Sequence, residues 1–467
     1  MTRVVIIGGG PGGYEAALVA AQLGGDVVLV ENDFVGGSAV LTDCVPSKTL
    51  IATAEVMTQV AESDELGIRY GDGRDDDPVR VDLAAVNQRV LALAKQQSTD
   101  IATRLRKEGV RLVIGDGRLD GPRRVVASTA DGEEAFDADV VLLATGAHPR
   151  VLPEAVPDGE RILTWTQVYD LETMPERLIV VGSGVTGAEF ASAYDALGTD
   201  VVLVSSRDRV LPSEDADAAQ VLEDVFTRRG MTVMGKSRAA SVRREGDEVV
   251  VTLTDGRTVT GSHCLLAVGS IANTEGLGLD TAGVEVNESG FITVDKVSRT
   301  TASGIYAAGD CTGVLMLASV AAMQGRIAMW HSMGDAVAPL DLTSVASNVF
   351  TAPEIATVGA SQTDVDTDDV RAVGVTLPLR TNPRAKMQGI NDGFMKVFCL
   401  PRTGIIIGGV VVAPRASELI HALSVAVHSR ITVDAFTQAF TVYPSLSGSL
   451  AEAARQLHLH SMEFTQP

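Results

Sequence analysis

Short runs of consecutive apolar residues recur along the chain, and two of them lead directly into glycine-rich turns. These runs cover residues 4–7 and 178–181. Each turn is followed by a helical stretch, expected over residues 16–23 in the first case, and then by a second apolar run, at residues 27–30 and 201–204. Continuous apolar runs of this length are typical of parallel strands that are buried on both faces. The pattern therefore predicts two β-α-β units within an α/β fold.

The two glycine-rich turns share the spacing G-x-G-x-x-G, which is typical of dinucleotide-binding units. Their glycines are Gly8, Gly10 and Gly13 in the first turn and Gly182, Gly184 and Gly187 in the second. This spacing permits a tight turn and brings a pyrophosphate close to the N-terminus of the following helix. Glu31 ends the second strand of the first unit, where a carboxylate can accept hydrogen bonds from ribose hydroxyl groups. One chain is therefore expected to bind two dinucleotides.

Composition and charge narrow the functional classes. The chain has 467 residues, enough for about three domains, and its formal net charge of −22 argues against non-specific nucleic-acid binding. Its four cysteines are widely separated, no apolar run reaches the ~18 residues of a membrane helix, and the first strand begins without a signal peptide. We expect a cytoplasmic protein with no transmembrane segment and no metal site. The acidic segment at residues 71–78 is expected to be a solvated loop.

The sequence of residues 36–48 is typical of the start of a helix, and it resembles a specific motif. The stretch is similar to the redox-disulfide helix of the pyridine nucleotide–disulfide oxidoreductases, the flavoenzymes that include lipoamide dehydrogenase and glutathione reductase. That family has two cysteines where this chain has Ala39 and Cys44, so one thiol is missing. Because a lone thiol cannot form an intramolecular disulfide with an absent partner, the usual chemistry of the family is expected to fail here.

The resemblance extends over essentially the entire chain, in the domain order of the family. It implies an α/β fold with two Rossmann-like dinucleotide-binding domains, one for FAD and one for NAD(P), and a C-terminal α+β dimerisation domain. The expected boundaries are residues 1–150 with 270–341 for a discontinuous FAD-binding domain, 151–269 for the NAD(P)-binding domain and 342–467 for the interface domain of a homodimer.

The resemblance also assigns residues to the FAD site. They are Gly8, Gly10, Gly13, Glu31, Gly37, Ser38, Lys48, Gly117, Ala144, Thr145, Gly146, Asp310, Met316, Leu317 and Ala318. In the family the aspartate at the position of Asp310 binds the ribityl chain, and Gly117 is expected to lie against adenine. The alternative for Asp310 is a plain turn residue.

The nicotinamide site is expected at the second glycine-rich turn and the strand that follows it. Its residues are Gly182, Gly184, Gly187, Ser205, Arg207 and Gly269. Ser205 stands where the NADH-dependent enzymes of the family carry glutamate. With no acid to repel a 2′-phosphate and Arg207 close by, NADPH is the expected cofactor, with NADH also usable. The alternative is that Arg207 is an ordinary loop residue.

Four residues are the candidates for catalysis. Cys44 begins a helix, where the helix dipole favours the thiolate, although a structural cysteine is the alternative. The resemblance implies that Glu189 pairs with Lys48 near the flavin. Tyr443 stands where the family has the histidine base of its C-terminal motif, and Gly448 stands where it has the glutamate that orients that base. Interface packing is the alternative role for Tyr443.

The thiol, the base and its orienting acid are thus all absent, whereas the FAD and nicotinamide motifs are present and specific. We therefore predict an FAD-dependent NAD(P)H:quinone oxidoreductase that is not a disulfide reductase. NAD(P)H would reduce the flavin and leave before a quinone enters, because quinones accept electrons from reduced flavin without a thiol. The alternatives are a soluble transhydrogenase between NADH and NADPH and a non-catalytic, redox-sensing flavoprotein.

Overall fold

The computed structural model describes residues 1–68, 79–367 and 369–463, with the side chains of residues 459–463 excepted. The predicted loop at residues 71–78 lies outside these residues. By compactness the chain divides into a first unit and a second unit. The first unit comprises Met1–Thr49, Asn87–Val151 and Val268–Asp341, and the second comprises Leu50–Val86, Leu152–Ala267 and Leu342–Pro467. The finer division into three domains stays a prediction.

The secondary structure alternates between short strands and helices over most of the described chain. In chain order the helices are α1 (Pro11–Gln22), α2 (Gly37–Leu41), α3 (Cys44–Ala61), α4 (Leu83–Lys107), α5 (Val185–Ala196), α6 (Ala216–Arg229), α7 (Leu279–Ala282), α8 (Ala318–Ser332), α9 (Gln362–Asp366), α10 (Pro383–Met387), α11 (Ala416–His428), α12 (Val433–Gln438) and α13 (Gly448–Glu463).

The strands are mostly three to eight residues long. In chain order they are β1 (Arg3–Ile7), β2 (Asp26–Glu31), β3 (Arg111–Ile114), β4 (Asp116–Leu119), β5 (Arg124–Thr129), β6 (Gly132–Asp137), β7 (Val140–Leu143), β8 (Ala147–Pro149), β9 (Ile162–Thr164), β10 (Arg177–Val181), β11 (Asp200–Val204), β12 (Thr232–Met234), β13 (Ala239–Glu245), β14 (Glu248–Leu253), β15 (Thr258–Gly261), β16 (His263–Leu266), β17 (Ser270–Ala272), β18 (Ile305–Ala307), β19 (Ala346–Val349), β20 (Glu354–Gly359), β21 (Val373–Pro378), β22 (Phe394–Cys399) and β23 (Ile406–Ala413).

A parallel sheet in the order β18-β7-β1-β2-β3 forms the centre of the first unit. Its apolar strands are buried on both faces, with helices α1 and α8 packed together beside them. Strand β1 has β2 on one side and β7 on the other, so the strand order reverses beside it. In open α/β sheets, ligands bind at such a reversal, outside the carboxyl ends of the strands. The turn after β1 therefore lies at the expected place for a ligand.

The second unit repeats this arrangement and adds an antiparallel sheet. Its parallel sheet has the order β12-β11-β10-β16-β9, so β10 lies between β11 and β16 as β1 lies between β2 and β7. The antiparallel sheet has the order β19-β20-β23-β22-β21, and α11 and α13 pack on it to form an apolar core. The two predicted β-α-β units and the C-terminal α+β region are all present.

The structure corrects two local predictions. The helix after β1, expected to begin near residue 16, begins at Pro11, because proline is well suited to the first turn of a helix. The stretch at residues 36–48 is two helices rather than the start of one. Helix α2 ends at Leu41, the amide of Asp43 donates to the Ser38 carbonyl at 2.8 Å, and α3 then begins at Cys44.

A buried ion pair joins the antiparallel sheet to helix α6 within the second unit. Lys396 in β22 is only 2% exposed, and its Nζ lies 2.8 Å from Asp215 Oδ2 and 2.7 Å from Asp217 Oδ2. The Asp215 side chain is equally buried, and its Oδ1 also caps α6 by accepting from the amides of Asp217 and Ala218. One carboxylate therefore begins a helix and neutralises a buried cation at the same time.

Candidate active site

The first glycine-rich turn is shaped by backbone contacts that exclude side chains. Gly8 has φ +99°, and a Cβ there would lie 2.2 Å from the Ala144 carbonyl oxygen at the end of β7. A Cβ on Gly13 would lie 1.8 Å from the Gly8 carbonyl oxygen. Both glycines are therefore required by the crossing of β1, β7 and α1.

Gly10, between those two glycines, faces open space. A Cβ there would meet only the Gly37 Cα, at 3.9 Å, and no side chain caps the helix N-terminus that Gly10 begins. The amide of Gly36 donates to the Gly9 carbonyl at 2.8 Å, which places the start of α2 against this turn. Uncapped helix amides beside an open, glycine-lined space fit a dinucleotide pyrophosphate.

Glu31 lies beside the same turn, at the end of β2. Its Oε2 accepts from the Gly9 amide at 2.5 Å, and its Oε1 accepts from the amides of Asn32 and Asp33. Burial raises the pKa of the Glu31 carboxyl, and the three amide donors oppose that rise. The structure thus holds this carboxylate beside the turn, as a ribose-binding acid requires.

Other residues that the sequence assigns to FAD surround the carboxyl ends of the same strands. Gly117 packs so closely on β1 and β2 that a Cβ would lie 2.9 Å from Ile7 Cγ2. Thr145 donates from Oγ1 to the Asn273 carbonyl at 2.6 Å, and the amide of Asn273 bonds to the Gly146 carbonyl. Met316 and Leu317 directly precede α8, which begins at Ala318, and its N-cap has no side-chain hydrogen bond.

A cluster of charged side chains, Asp43, Lys48 and Asp310, lies around the N-terminus of α3 in the first unit. Burial raises the pKa of Asp43, and the nearby Lys48 ammonium opposes that rise. Burial and the charge of Asp43 together raise the pKa of Asp310 to about 6. Ser47 is buried, and its Oγ has no hydrogen-bond partner among the described residues. These groups fit the polar edge of a bound cofactor, and the raised pKa of Asp310 suits its carboxyl to hold a proton near neutral pH.

The sequence prediction missed Asp43. The residue directly before Cys44 is the natural capping position of α3, since the Asp43 carbonyl accepts from the Ser47 amide at 2.7 Å. Aspartate is a favoured N-cap residue. Its position directly before Cys44 was therefore the signal that could have identified Asp43. Cys44 itself is partly buried and forms no disulfide.

The second glycine-rich turn, after β10, repeats the backbone geometry of the first. A Cβ on Gly182 would lie 2.2 Å from the Ala267 carbonyl oxygen, and a Cβ on Gly187 would lie 1.9 Å from the Gly182 carbonyl oxygen. A Cβ on Gly184 would meet nothing within 4 Å, and no side chain caps α5. This turn therefore has the same fit to a dinucleotide pyrophosphate as the first.

Ser205, at the end of β11, is completely buried and bonded to its surroundings. Its Oγ lies 2.7 Å from Ser183 Oγ in the glycine-rich turn, accepts from the Arg207 amide at 3.1 Å and donates toward the carbonyls of Arg207 and Arg209. The sequence shows that residue 205 is not a carboxylate, but it did not reveal the hydrogen bond between Ser205 and Ser183. Ser205 thus organises the loop that carries Arg207.

Arg207 and Lys236 are two cationic residues whose backbones are hydrogen-bonded to each other. The Lys236 amide donates to the Arg207 carbonyl at 2.6 Å, and both residues are exposed. Neither side chain has an ion-pair partner among the described residues. Lys236 was missed because it follows β12, which becomes the neighbour of β11 only in the folded sheet.

The remaining candidates are divided between the two units. Glu189 is buried in α5 and accepts from the Phe350 amide at 2.9 Å within the second unit. Lys48 and Gly269 belong to the first unit, so the Lys48–Glu189 pair stays a prediction. Tyr443 lies in the second unit and is 82% exposed in the single chain. Such exposure is expected of a residue that contacts a partner subunit.

Comparison with known proteins identifies the fold family. Residues 2–325 match the family described as pyridine nucleotide-disulphide oxidoreductase, and residues 345–454 match the dimerisation domain of that family. The chain belongs to the pyridine nucleotide-disulphide oxidoreductases. The predicted family and fold class are confirmed, and membership implies FAD and NAD(P) as the dinucleotides.

Relatives within the family include both quinone-linked and lipoamide-linked proteins. The NAD(P)H dehydrogenase (quinone) of Mycobacterium tuberculosis is 54% identical over 98% of this chain and 94% of the relative. The dihydrolipoyl dehydrogenase of Chlamydia pneumoniae is 32% identical over 98% of both chains. The crystal structure of LpdA from Mycobacterium tuberculosis has a TM-score of 0.93 at 54% identity, covering 98% of this chain and all of that one.

Proposed function

We propose that the chain is an FAD-dependent NAD(P)H:quinone oxidoreductase rather than a disulfide reductase. The observation that carries the proposal is Ala39, which replaces a redox thiol in a chain whose two dinucleotide-binding turns are intact. The 54% identity to an NAD(P)H dehydrogenase (quinone) supports the same activity. Tyr443 and Gly448, in place of the base and its orienting acid, support the loss of thiol chemistry.

We propose that the two glycine-rich turns divide the cofactors between them. The turn at Gly8 to Gly13 would bind the FAD pyrophosphate with Glu31 at a ribose, and the turn at Gly182 to Gly187 would bind the nicotinamide dinucleotide. When bound, FAD supplies two-electron redox chemistry between the nicotinamide and the acceptor. Reduction of a quinone to a hydroquinone also takes up a proton. The Asp43 and Asp310 carboxyls are the groups proposed to hold it.

We further propose a homodimer in the cytoplasm, through the region that matches the dimerisation domain. Among the described residues, no helix is both long enough and apolar enough to cross a bilayer. Lys48 and Glu189 are proposed to pair near the flavin, and Cys44 and Tyr443 are proposed to line the acceptor side.

The test is anaerobic stopped-flow reduction of the purified yellow protein by NADPH, followed by mixing with a soluble quinone or with oxidised lipoamide. We expect rapid bleaching of the flavin band, rapid return with the quinone and no return with lipoamide. The result that overturns the proposal is reoxidation by lipoamide alone, which would require another thiol and base. Absence of bleaching with both NADPH and NADH would instead favour a non-catalytic, redox-sensing role.

A transhydrogenase is the second candidate, because a nucleotide site without a carboxylate at Ser205 suits both nicotinamides. Anaerobic stopped-flow mixing also distinguishes a transhydrogenase from a quinone reductase. Protein reduced with NADPH is mixed with NAD⁺ or a thio-substituted NAD⁺, and electron transfer to the oxidised nucleotide is followed. A rate comparable to that with quinone would support the transhydrogenase.

We propose that NADPH is preferred and that Arg207 binds its 2′-phosphate. Arg207→Ala is expected to lower kcat/KM for NADPH by about 10- to 100-fold, because a hydrogen bond to a charged group contributes about 1.5–3 kcal/mol. NADH has no 2′-phosphate, so its kcat/KM should stay unchanged and serves as the internal control. Steady-state quinone reduction with each nucleotide measures both values.

The matched control is Arg106→Ala, an exposed arginine in the last turn of α4, outside the nucleotide turn. It removes the same charge and should leave the ratio of NADPH to NADH specificity unchanged. If Arg207→Ala changes the two nucleotides equally, Arg207 does not discriminate between them. Lys236→Ala would then be the next variant, since its backbone adjoins Arg207.

A further inference from the structure

A cavity of about 790 Å³ lies within the second unit, and no residue of either glycine-rich turn lines it. Its wall is formed by the C-terminal half of α3, the ends of α5 and α6 and the loops at residues 351–354, 389–392 and 414–415. None of the residues assigned to FAD or to the nicotinamide lines it. Its volume is within the range of small-molecule binding sites.

The charged groups of the cavity wall are predominantly acidic. The carboxylates are those of Glu55, Glu62, Glu65, Asp195, Glu354 and Asp392, and the guanidinium groups are those of Arg228, Arg229 and Arg415. Two of the arginines are already paired with acids. Arg229 Nη2 lies 3.0 Å from Glu62 Oε1, and Arg228 pairs with Asp392. The cavity therefore holds more negative charge than its own cations neutralise.

One acid of this wall, Asp195, is partly buried without a direct partner in the described part of the chain. Its carboxylate forms no hydrogen bond or ion pair with any described residue, and burial raises its pKa to about 6 although Arg229 opposes the rise. Glu354, another acid of the wall, is buried, and its Oε2 accepts from the Ser417 amide at 2.8 Å. Burial and the nearby negative charge of Glu55 raise the pKa of Glu354. A bound cation would relieve both desolvation and repulsion.

The distribution of these acids distinguishes between classes of cation. Among the described residues, no group of three or more His, Cys, Asp or Glu side chains is arranged to hold a metal ion. The carboxylates are instead spread over several elements, and apolar side chains such as Met57, Val225 and Ile390 also line the cavity. Thr58 Oγ1 is also buried at this wall without a hydrogen-bond partner in the described chain. Separated anionic groups in a cavity that apolar side chains also line suit ammonium groups joined by methylene chains.

We propose that this cavity binds an aliphatic polyamine, with the Asp195 carboxylate as the counter-ion of one ammonium group. Glu55 and Glu354 face the other ammonium groups, and Thr58 accepts a further hydrogen bond. The proposal concerns a site distinct from the dinucleotide turns. It does not depend on quinone reduction, so either proposal can fail without the other.

The test is isothermal titration calorimetry of the FAD-loaded protein with spermidine. We expect saturable binding with one spermidine per chain, and at least a tenfold loss of affinity in Asp195→Asn. Glu108→Gln is the matched control, because Glu108 is an exposed acid after α4, outside the cavity. It removes the same charge from a chain of net charge −22, so it should bind spermidine as the unmodified protein does.

Glu55→Gln provides a second variant at a partly exposed position, in case Asp195→Asn impairs folding. It should also weaken spermidine binding, and the flavin content and unfolding temperature of each variant verify its fold. Non-saturable heats with the unmodified protein would overturn the proposal. Equal affinities of Glu108→Gln and both cavity variants would overturn it as well, because binding would then be a general effect of net charge.

Discussion

Replacing Lys396 with methionine is expected to lower the free energy of unfolding of the second unit by about 3–5 kcal/mol, the usual cost of leaving one member of a buried ion pair without its partner. Lys396 and Asp215 are each only 2% exposed. Methionine fills a similar volume, so the loss comes from the uncompensated Asp215 carboxylate rather than from a cavity. Urea denaturation, followed by circular dichroism, measures the change.

The double variant Lys396→Met with Asp215→Asn separates charge from packing. Asparagine keeps the helix cap of α6 because its side-chain oxygen still accepts from backbone amides, and it carries no charge. The double variant should therefore regain most of the lost stability. Asp217 remains hydrated, since its side chain is 68% exposed. Lys386→Met, at an exposed lysine, is the control, and a loss equal to that of Lys396→Met would contradict the prediction.

Replacing Gly187 with alanine is expected to lower kcat/KM for NADPH by at least about 100-fold, a typical cost of misplacing a bound group by about 1 Å. The new Cβ would lie 1.9 Å from the carbonyl oxygen of Gly182 and 2.9 Å from its carbon. Both contacts are with backbone, so α5 must move away from β10 and carry the nucleotide turn with it. Steady-state kinetics and thermal unfolding measure the two consequences.

Gly184→Ala, in the same turn, is the matched control. Gly184 has φ −72°, which alanine adopts readily, and a Cβ there meets nothing within 4 Å. We expect unchanged thermal stability and flavin content, with a raised KM for NADPH because the methyl group enters the space left for the pyrophosphate. If both variants lose stability equally, backbone crowding is not what requires glycine at residue 187.

The sheets and glycine-rich turns could be predicted because their signals are local. A buried apolar strand followed by G-x-G-x-x-G is readable within about 30 residues, and Gly8 and Gly182 each lie against the backbone of a neighbouring strand. The absence of the second thiol was equally visible at Ala39. The break between α2 and α3 was not, because it depends on the Asp43 amide bonding back to Ser38.

The sequence could not show which residues that are far apart in the chain become neighbours in the fold. Lys396 looks like a surface lysine until the fold brings it to Asp215, which lies 181 positions earlier in the chain. Lys236 gains its place near Arg207 only because β12 pairs with β11. Asp195 and Glu354 come to one cavity from separate elements. Their charges were visible in the sequence, but neither their burial nor their neighbours were.

The hydrogen bond between Ser183 and Ser205 has a consequence for how nucleotide preference can evolve. A glutamate at residue 205 would bring a longer, charged side chain into a completely buried position whose space Ser183 and two backbone carbonyls already occupy. That single substitution buries an unpaired charge. A glycine at residue 183 would first open the space. The two positions are therefore epistatic, and the order of mutations toward an NADH-selective descendant is constrained.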